Sequence, residues 1–135
     1  MIVLSFLIDT DCVIDHFNQI QRVSARLEEL YNDGLAISIV SVAELWEGVL
    51  FSKDPLRTQN QLEEFLSTIT VLGLDAEMCK TFGQIRGLLR TRGRLIGDFD
   101  LLIAATALRH QLTLLSNNRK HFEQIAGLRL EGLGA

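Results

Sequence analysis

Three carboxylates in this chain fall at one kind of position. Asp9 stands at the C-terminal end of the apolar run Ile2-Val3-Leu4-Ser5-Phe6-Leu7-Ile8. Glu44 follows a second apolar run, Leu35 to Val40, in the first turn of a predicted helix. Asp100 sits in the first turn of the strongly apolar helix that contains Leu101-Leu102-Ile103-Ala104-Ala105. In a parallel sheet, residues just beyond strand C-termini gather along one edge. Like charges gathered there repel, so the group must hold a cation or take up protons. Hard divalent cations such as Mg²⁺ or Mn²⁺ prefer oxygen ligands. With such an ion the arrangement suits hydrolysis of a phosphodiester. Each acid also has a simpler role open to it. Asp9 can cap the next helix, Glu44 can complete an S/T-x-x-E capping box with Ser41, and Asp98 can cap the helix whose dipole Asp100 complements. Spacing alone does not decide between convergence and capping.

The elements that must position these residues are legible. Met1 to Ile8 reads as a buried parallel strand, nearly continuous in apolar residues. Residues 11–32 read as helix in one or two pieces, stopped at Gly34. Leu35 to Val40 reads as a second strand and Ser41 to Phe51 as a helix. Asp54-Pro55 breaks the chain before a helix over 56–68 with Leu62, Phe65, Leu66 and Ile69 at helical spacing. Val71-Leu72 is a short strand, and Asp75 starts a helix with Met78, Phe82, Ile85 and Leu89 inward. Asp98 or Phe99 opens a helix through about His110. Thr113-Leu114-Leu115 is a strand, Ser116 to Arg119 a polar turn, and a last short strand falls near Leu128 to Leu130. Alternating strands and helices predict an α/β domain over residues 1–135, with a central parallel sheet of four to five strands and helices on both faces.

Composition bounds the rest. The chain has 135 residues, 47% hydrophobic and 22% charged, which excludes a disordered protein and fits one core. Its formal net charge of −4 points away from nucleic acid, but the charge is unevenly spread. Residues 1–79 balance at −9 and residues 80–135 at +5. Within the basic part, Arg86 and Arg90 share a helix face, and Arg92 and Arg94 carry it toward Asp98. These four are candidate phosphate-tracking residues, with Arg119, Lys120 and His121 as additions; a solvated helix end is the alternative. Phe82, Phe99 and Phe122 read as core. His16, His110 and His121 follow no pattern and read as surface or capping residues. Cys12 and Cys79 fit no metal or disulfide spacing and read as small buried hydrophobes. The N-terminal apolar run is too short to span a bilayer and lacks the flanks of a signal peptide, so the expectation is a cytoplasmic protein without a membrane anchor.

Four blocks in order sharpen the reading: Leu7-Ile8-Asp9-Thr10-Asp11, Ser41-Val42-Ala43-Glu44-Leu45, Asp100-Leu101-Leu102-Ile103-Ala104-Ala105-Thr106-Ala107, and Leu115-Ser116-Asn117-Asn118 with Phe122. Together they resemble the PIN-domain family, and within it the VapC-type toxins of bacterial toxin–antitoxin pairs. The resemblance implies a Mg²⁺- or Mn²⁺-dependent endoribonuclease that leaves a 5′-phosphate. It implies Asp9, Glu44 and Asp100 as the acidic core, with Asp9 and Asp100 as primary metal ligands. Glu44 would orient the water or hold a second ion, and Thr10 would support Asp9 through its hydroxyl. It also implies an RNA substrate, an antitoxin partner and a homodimer, with the helices bearing Trp46, Leu50, Leu62, Phe65 and Leu66 forming those contacts. From the sequence alone these apolar residues read rather as core. Many family members carry a fourth acid after the strand that corresponds to Thr113–Leu115. Here Ser116-Asn117-Asn118 stands there, and an amide such as Asn118 can hold a water or a phosphate but brings no charge. One ion or two is therefore open, and Asp98 is a candidate extra ligand.

Two other functions compete. Leu7-Ile8-Asp9-Thr10-Asp11-Cys12-Val13 also resembles the nucleophile motif of haloacid dehalogenase-like phosphatases. Their later motifs do not follow: Leu102 stands where the terminal acidic pair needs its second Asp. A PIN-like module that binds RNA or protein without cutting is the non-enzymatic alternative, supported only by the missing fourth acid.

Overall fold

The computed structural model describes residues 3–134. Its centre is a five-stranded, wholly parallel sheet in the order β3-β2-β1-β4-β5. The strands are β1 (Phe6–Ile8), β2 (Leu35–Ser38), β3 (Thr70–Leu72), β4 (Thr113–Leu115) and β5 (Leu130–Glu131). The helices are α1 (Thr10–Phe17), α2 (Gln21–Leu30), α3 (Ile39–Leu50), α4 (Pro55–Leu66), α5 (Ala76–Thr91), α6 (Asp98–His110) and α7 (Arg119–Phe122). The chain runs outward from β1 through β2 to β3, then returns to the other side of β1 as β4. The order thus reverses between β1 and β4, which opens a crevice beyond their C-termini.

Strand residues alternate between two cores, as a pleat of period two requires. Leu7, Ala36 and Leu114 pack against Leu89 of α5, Leu101, Ile103 and Ala104 of α6, and Phe122 of α7. Ile8, Ile37 and Leu115 pack on the other face against Val13, Val23 and Leu27 of α1 and α2, and Leu45 and Leu62 of α3 and α4. The two outward steps and the long return place their helices on opposite faces, as right-handed crossovers must. Leu101 and Ile103 are fully buried. Each contributes roughly 2 kcal/mol of transfer free energy, which anchors the first turn of α6 and so fixes Asp100.

Several boundaries differ from expectation. Strand pairing starts at Phe6, and Val3 is exposed; Met1 and Ile2 lie outside the described residues. The first helical stretch starts one residue early, at Thr10, and is in two pieces, one of the two readings open in the sequence, broken at Asn18 to Ile20, where Gln19 takes φ 62°. Strand β2 ends at Ser38, not Val40, because the Ser38 hydroxyl accepts the Val40 N–H at 3.1 Å and caps α3. Ser41 is therefore inside the helix, and no Ser41–Glu44 capping box forms. Gly97, not Asp98, is the N-cap of α6, leaving Asp98 and Asp100 both within its first turn. The polar turn after β4 includes the short helix α7, and β5 falls one or two residues later than predicted.

Gly34 follows the 3-10 turn Tyr31–Asp33 with φ 93°. Its carbonyl accepts the N–H groups of Ser5 and Phe6. A Cβ there would stand 1.9 Å from the Val3 carbonyl oxygen, so only glycine allows this approach.

Candidate active site

Asp9 leaves β1 and caps α1 with extended backbone, φ −69° and ψ 150°. Its Oδ1 accepts the Thr10 N–H at 2.9 Å, and its Oδ2 accepts the Ser116 hydroxyl at 2.7 Å. Ser116 comes from the end of β4, the strand beside β1, so the reversal in strand order delivers this donor. Capping and site formation are the same act here. The side chain is 3% exposed. Burial is the main reason its carboxyl is pushed up from 3.8 to about 6, and the charges of Asp100 and Asp11 push the same way. The hydrogen bonds from Ser116 and Thr10 oppose that rise without cancelling it.

Thr10 ties Glu44 into the same cluster. Its hydroxyl lies 2.8 Å from both Ser41 Oγ and Glu44 Oε1. One hydroxyl has one hydrogen and a carboxylate only accepts, so Thr10 donates to Glu44 and receives from Ser41. The expected support of Asp9 by Thr10 comes through the backbone N–H, while the hydroxyl holds Glu44 instead. Glu44 itself lies in the second turn of α3. Its carboxyl is held above the ordinary range first by burial, then by the charges of Asp100, Asp11 and Glu47.

Asp100 closes the group from α6. Its Oδ2 is 3.1 Å from His121 Nδ1, and that same nitrogen is 2.8 Å from Asn118 Nδ2. The Asn118 N–H in turn donates to Ser116 Oγ at 3.0 Å. Close polar contacts therefore connect Asp9 through Ser116 and Asn118 to His121 and Asp100, and a branch runs from Thr10 to Glu44. Among the described residues, no three of the His, Cys, Asp and Glu side chains stand within ligating reach of a single point. Each carboxylate instead leans on a donor of its own, which is how like charges brought to one crevice lower their mutual repulsion.

The other predicted residues divide. Asp98 turns to Arg86, with Nε to Oδ1 at 3.0 Å, so this acid and this arginine hold each other. Arg90, Arg92 and Arg94 are exposed at the end of α5 and in the loop after it, with no carboxylate partner among the described residues. Phe122 is core, Phe82 half-buried, but Phe99 is exposed beside Asp98 and Asp100. Cys12 is buried, whereas Cys79 sits on the outer side of α5 and is exposed. The expectation of core burial fails for Trp46 and Leu50, which are exposed with Phe51, and holds for Leu62. Sequence patterns assign no role to Ser116, give Ser41 only a capping role, and leave His121 as a surface residue or an addition to the phosphate-tracking group. The signal for Ser116 is its place after the strand that returns beside β1.

The family model described as PIN domain matches residues 6–128. Ribonuclease VapC2 of Haemophilus influenzae is 35% identical over 131 residues, covering 95% of this chain and 97% of the relative. The tRNA(fMet)-specific endonuclease VapC of Shigella flexneri is 37% identical over 129 residues, with the same coverage of each. Among solved structures, DNA-bound VapBC from Salmonella typhimurium superposes with a TM-score of 0.90 at 31% identity, covering 98% of this chain and 100% of that one. VapBC2 from Rickettsia felis bound to a promoter DNA fragment gives 0.89 at 33% identity, covering 96% and 98%. The chain belongs to the PIN-domain family, and within it to the VapC-type toxin endoribonucleases.

Proposed function

We propose that the chain cuts RNA with a divalent cation, Mg²⁺ or Mn²⁺, held by Asp9 and Asp100 with Glu44 beside them. The observation that carries this is the gathering of the three acids at the β1–β4 crevice, although burial and nearby negative charge raise the carboxyls of Asp9 and Glu44 there. An all-oxygen, negatively charged donor set fits a hard divalent ion. When bound, the cation supplies charge neutralisation at the phosphodiester and acidity for the attacking water. The chain's own residues do the rest. Asp9 is locked by Thr10 and Ser116, so its position is set before any substrate arrives. Glu44, aimed by Thr10, accepts the proton of the attacking water, for which a raised carboxyl is suited. Arg90, Arg92 and Arg94 track the RNA backbone. Asp98 and Arg86 pair with each other at the surface. No side chain acts as a covalent nucleophile.

An antitoxin and a second copy of the chain are the proposed protein partners, in a cytoplasmic setting. An apolar groove of about 210 Å³, lined by Ile14, Phe17, Leu45, Val49 and Leu62, opens beside Glu44. Trp46, Leu50, Phe51 and Leu56, on or between α3 and α4, are exposed. Among the described residues no helix is long and apolar enough to cross a membrane. The test is direct: protein freed of antitoxin should degrade single-stranded RNA with Mg²⁺ or Mn²⁺ and stop with EDTA, and Asp9→Asn should be inactive. Metal-independent cleavage, or full activity in Asp9→Asn, overturns the proposal.

A further inference from the structure

We propose that Asn117 is a positioning residue for cleavage: its side-chain amide stands in for the end of the β4–β5 ladder and so leaves the turn after β4 free to aim the Ser116 hydroxyl at Asp9. The inference rests on the reading of Asp9 as an acid that cleavage requires, and it invokes no particular ion.

The ladder supplies the first observation. Leu114 N–H donates to the Arg129 carbonyl at 2.9 Å, and Ser116 N–H donates to the Glu131 carbonyl at 3.0 Å. Parallel strands repeat such bonds evenly along the pair. In this register the next two would take Leu133 N–H to the Ser116 carbonyl and Asn118 N–H to the Leu133 carbonyl. Both donors are diverted. Leu133 N–H donates to Asn117 Oδ1 at 2.9 Å, and Asn118 N–H donates to Ser116 Oγ at 3.0 Å. The Asn117 amide thus ends the pairing one step early.

That diversion reaches Asp9 through Ser116. A hydroxyl has a single hydrogen and accepts on its lone pairs. With Asn118 N–H on a lone pair, Ser116 Oγ gives its hydrogen to Asp9 Oδ2 at 2.7 Å. Were the ladder to run on, Asn118 N–H would point at Leu133, and the Ser116 hydroxyl would lose the neighbour that fixes its direction.

The second observation is what the amide grips. Residues 131–134 form a strap that is itself held in place. Glu131 pairs with Arg26 of α2 at 2.6 Å. Leu133 is 2% exposed and belongs to the core on the α1–α2 face. The Gly134 carbonyl accepts from Arg22 Nε at 3.1 Å and from Asn117 Nδ2 at 3.3 Å. Gly132 lets the strap pass close, since a Cβ there would stand 3.3 Å from Asn117 Oδ1. Both ends of the Asn117 amide are therefore engaged by the strap, and the residue reaches Asp9 only through Ser116 and Asn118. Asn117 is exposed, so its replacement leaves both cores intact.

The experiment is steady-state cleavage of a single-stranded RNA by the full chain, freed of antitoxin, in a two-by-two set of Asn117→Ala and Ser116→Ala. Thermal denaturation confirms that each protein is folded at the assay temperature. Asn117→Ala should lower kcat by about 10–100-fold with KM little changed, since a misplacement of about 1 Å caused far from the chemistry costs up to about 100-fold. In the Ser116→Ala background the same change should have almost no further effect on kcat, because the route runs through Ser116. A general loosening of the fold would instead lower turnover in both backgrounds alike. Asn117→Asp keeps the acceptor for Leu133 N–H and should restore most of the rate lost in Asn117→Ala. Wild-type kcat in Asn117→Ala, an equal loss in both backgrounds, or an Asn117→Asp protein as slow as Asn117→Ala overturns the inference. Those results leave the reading of Asp9 standing; full activity in Asp9→Asn overturns that reading and the inference with it.

Discussion

Replacing Asp9 by Asn should stabilise the metal-free protein while abolishing its activity. Asp9 is 3% exposed, and its carboxyl is pushed from 3.8 to about 6. A folded-state value above the unfolded one means that the native chain binds the proton more tightly. Stability from this group is therefore full below about pH 4 and is lost as pH rises through about 6. Above that range the ionised, buried carboxylate costs about 3 kcal/mol relative to the unfolded chain. Asparagine removes the charge and keeps the shape. It is as good an N-cap, so Oδ1 still accepts the Thr10 N–H. Its amide must donate to Ser116 Oγ, which reverses one hydrogen bond and offsets about 1 kcal/mol of the gain.

The net expectation is a gain of about 2 kcal/mol at pH 7.5 in EDTA, or a rise in Tm on the order of 5–10 °C for a chain this size. Thermal denaturation of both proteins across pH 3.5–8 measures it. The gap should open between about pH 4 and 6 and close below. Adding Mn²⁺ should reverse the order, since only wild type then gains from ligand binding. An Asn variant equal to or less stable than wild type at pH 7.5, or a gain that persists at pH 3.5, would refute the claim that Asp9 is held charged against its surroundings.

Three further outcomes are expected. Thr10→Val keeps the volume but strips Glu44 of its 2.8 Å donor; metal affinity or turnover should fall about 10–100-fold, with a stability loss of about 1–3 kcal/mol seen in denaturant titration. Gly34→Ala forces a Cβ to 1.9 Å from the Val3 carbonyl oxygen at φ 93°; urea unfolding should show a loss of at least about 3 kcal/mol, and wild-type stability would remove the close approach from the account. Arg90, Arg92 and Arg94 changed together to Ala should weaken RNA binding and lower the slope of log affinity against log salt by about 2, at roughly 0.7 for each single-strand phosphate that an arginine neutralises; an unchanged slope would place the RNA elsewhere.

Much of this architecture is readable in the amino-acid sequence, and the reason is local. Strands β1 and β4 are apolar runs with abrupt polar ends, so pattern alone places their C-termini, and hence Asp9. The alternation of strands and helices then dictates a parallel sheet. Legibility stops where a boundary depends on a hydroxyl. Ser38 and Ser41 look alike in sequence, and only the bond from Val40 N–H to Ser38 Oγ decides which one starts α3. It stops again where contacts join distant segments. The Ser116–Asp9 bond spans 107 positions, and the Asp100–His121 contact spans 21. No periodicity encodes either. Exposure on α3 escapes the pattern for a related reason: Trp46 and Leu50 are apolar, but the sheet is already covered by Leu45 and Val49 from the same helix.

The charge pattern has a physical reading. The −9 part of the chain contributes Asp9 and Glu44, and the +5 part contributes Asp100 together with the arginines of α5 and its loop. The β1–β4 reversal is what folds these halves onto one crevice. Within it, the acids repel one another, and Asp9 and Glu44 are raised by this repulsion on top of their burial. Outside it, Arg86 is neutralised by Asp98, which leaves Arg90, Arg92 and Arg94 to set the local field. A net charge of −4 therefore misleads about the partner. Asp9, Glu44 and Asp100 line the crevice where the proposed divalent ion would offset them, and Arg90, Arg92 and Arg94 are exposed at the surface. The same separation makes the metal-free protein the strained form, so a cation is expected to act on stability as well as on chemistry.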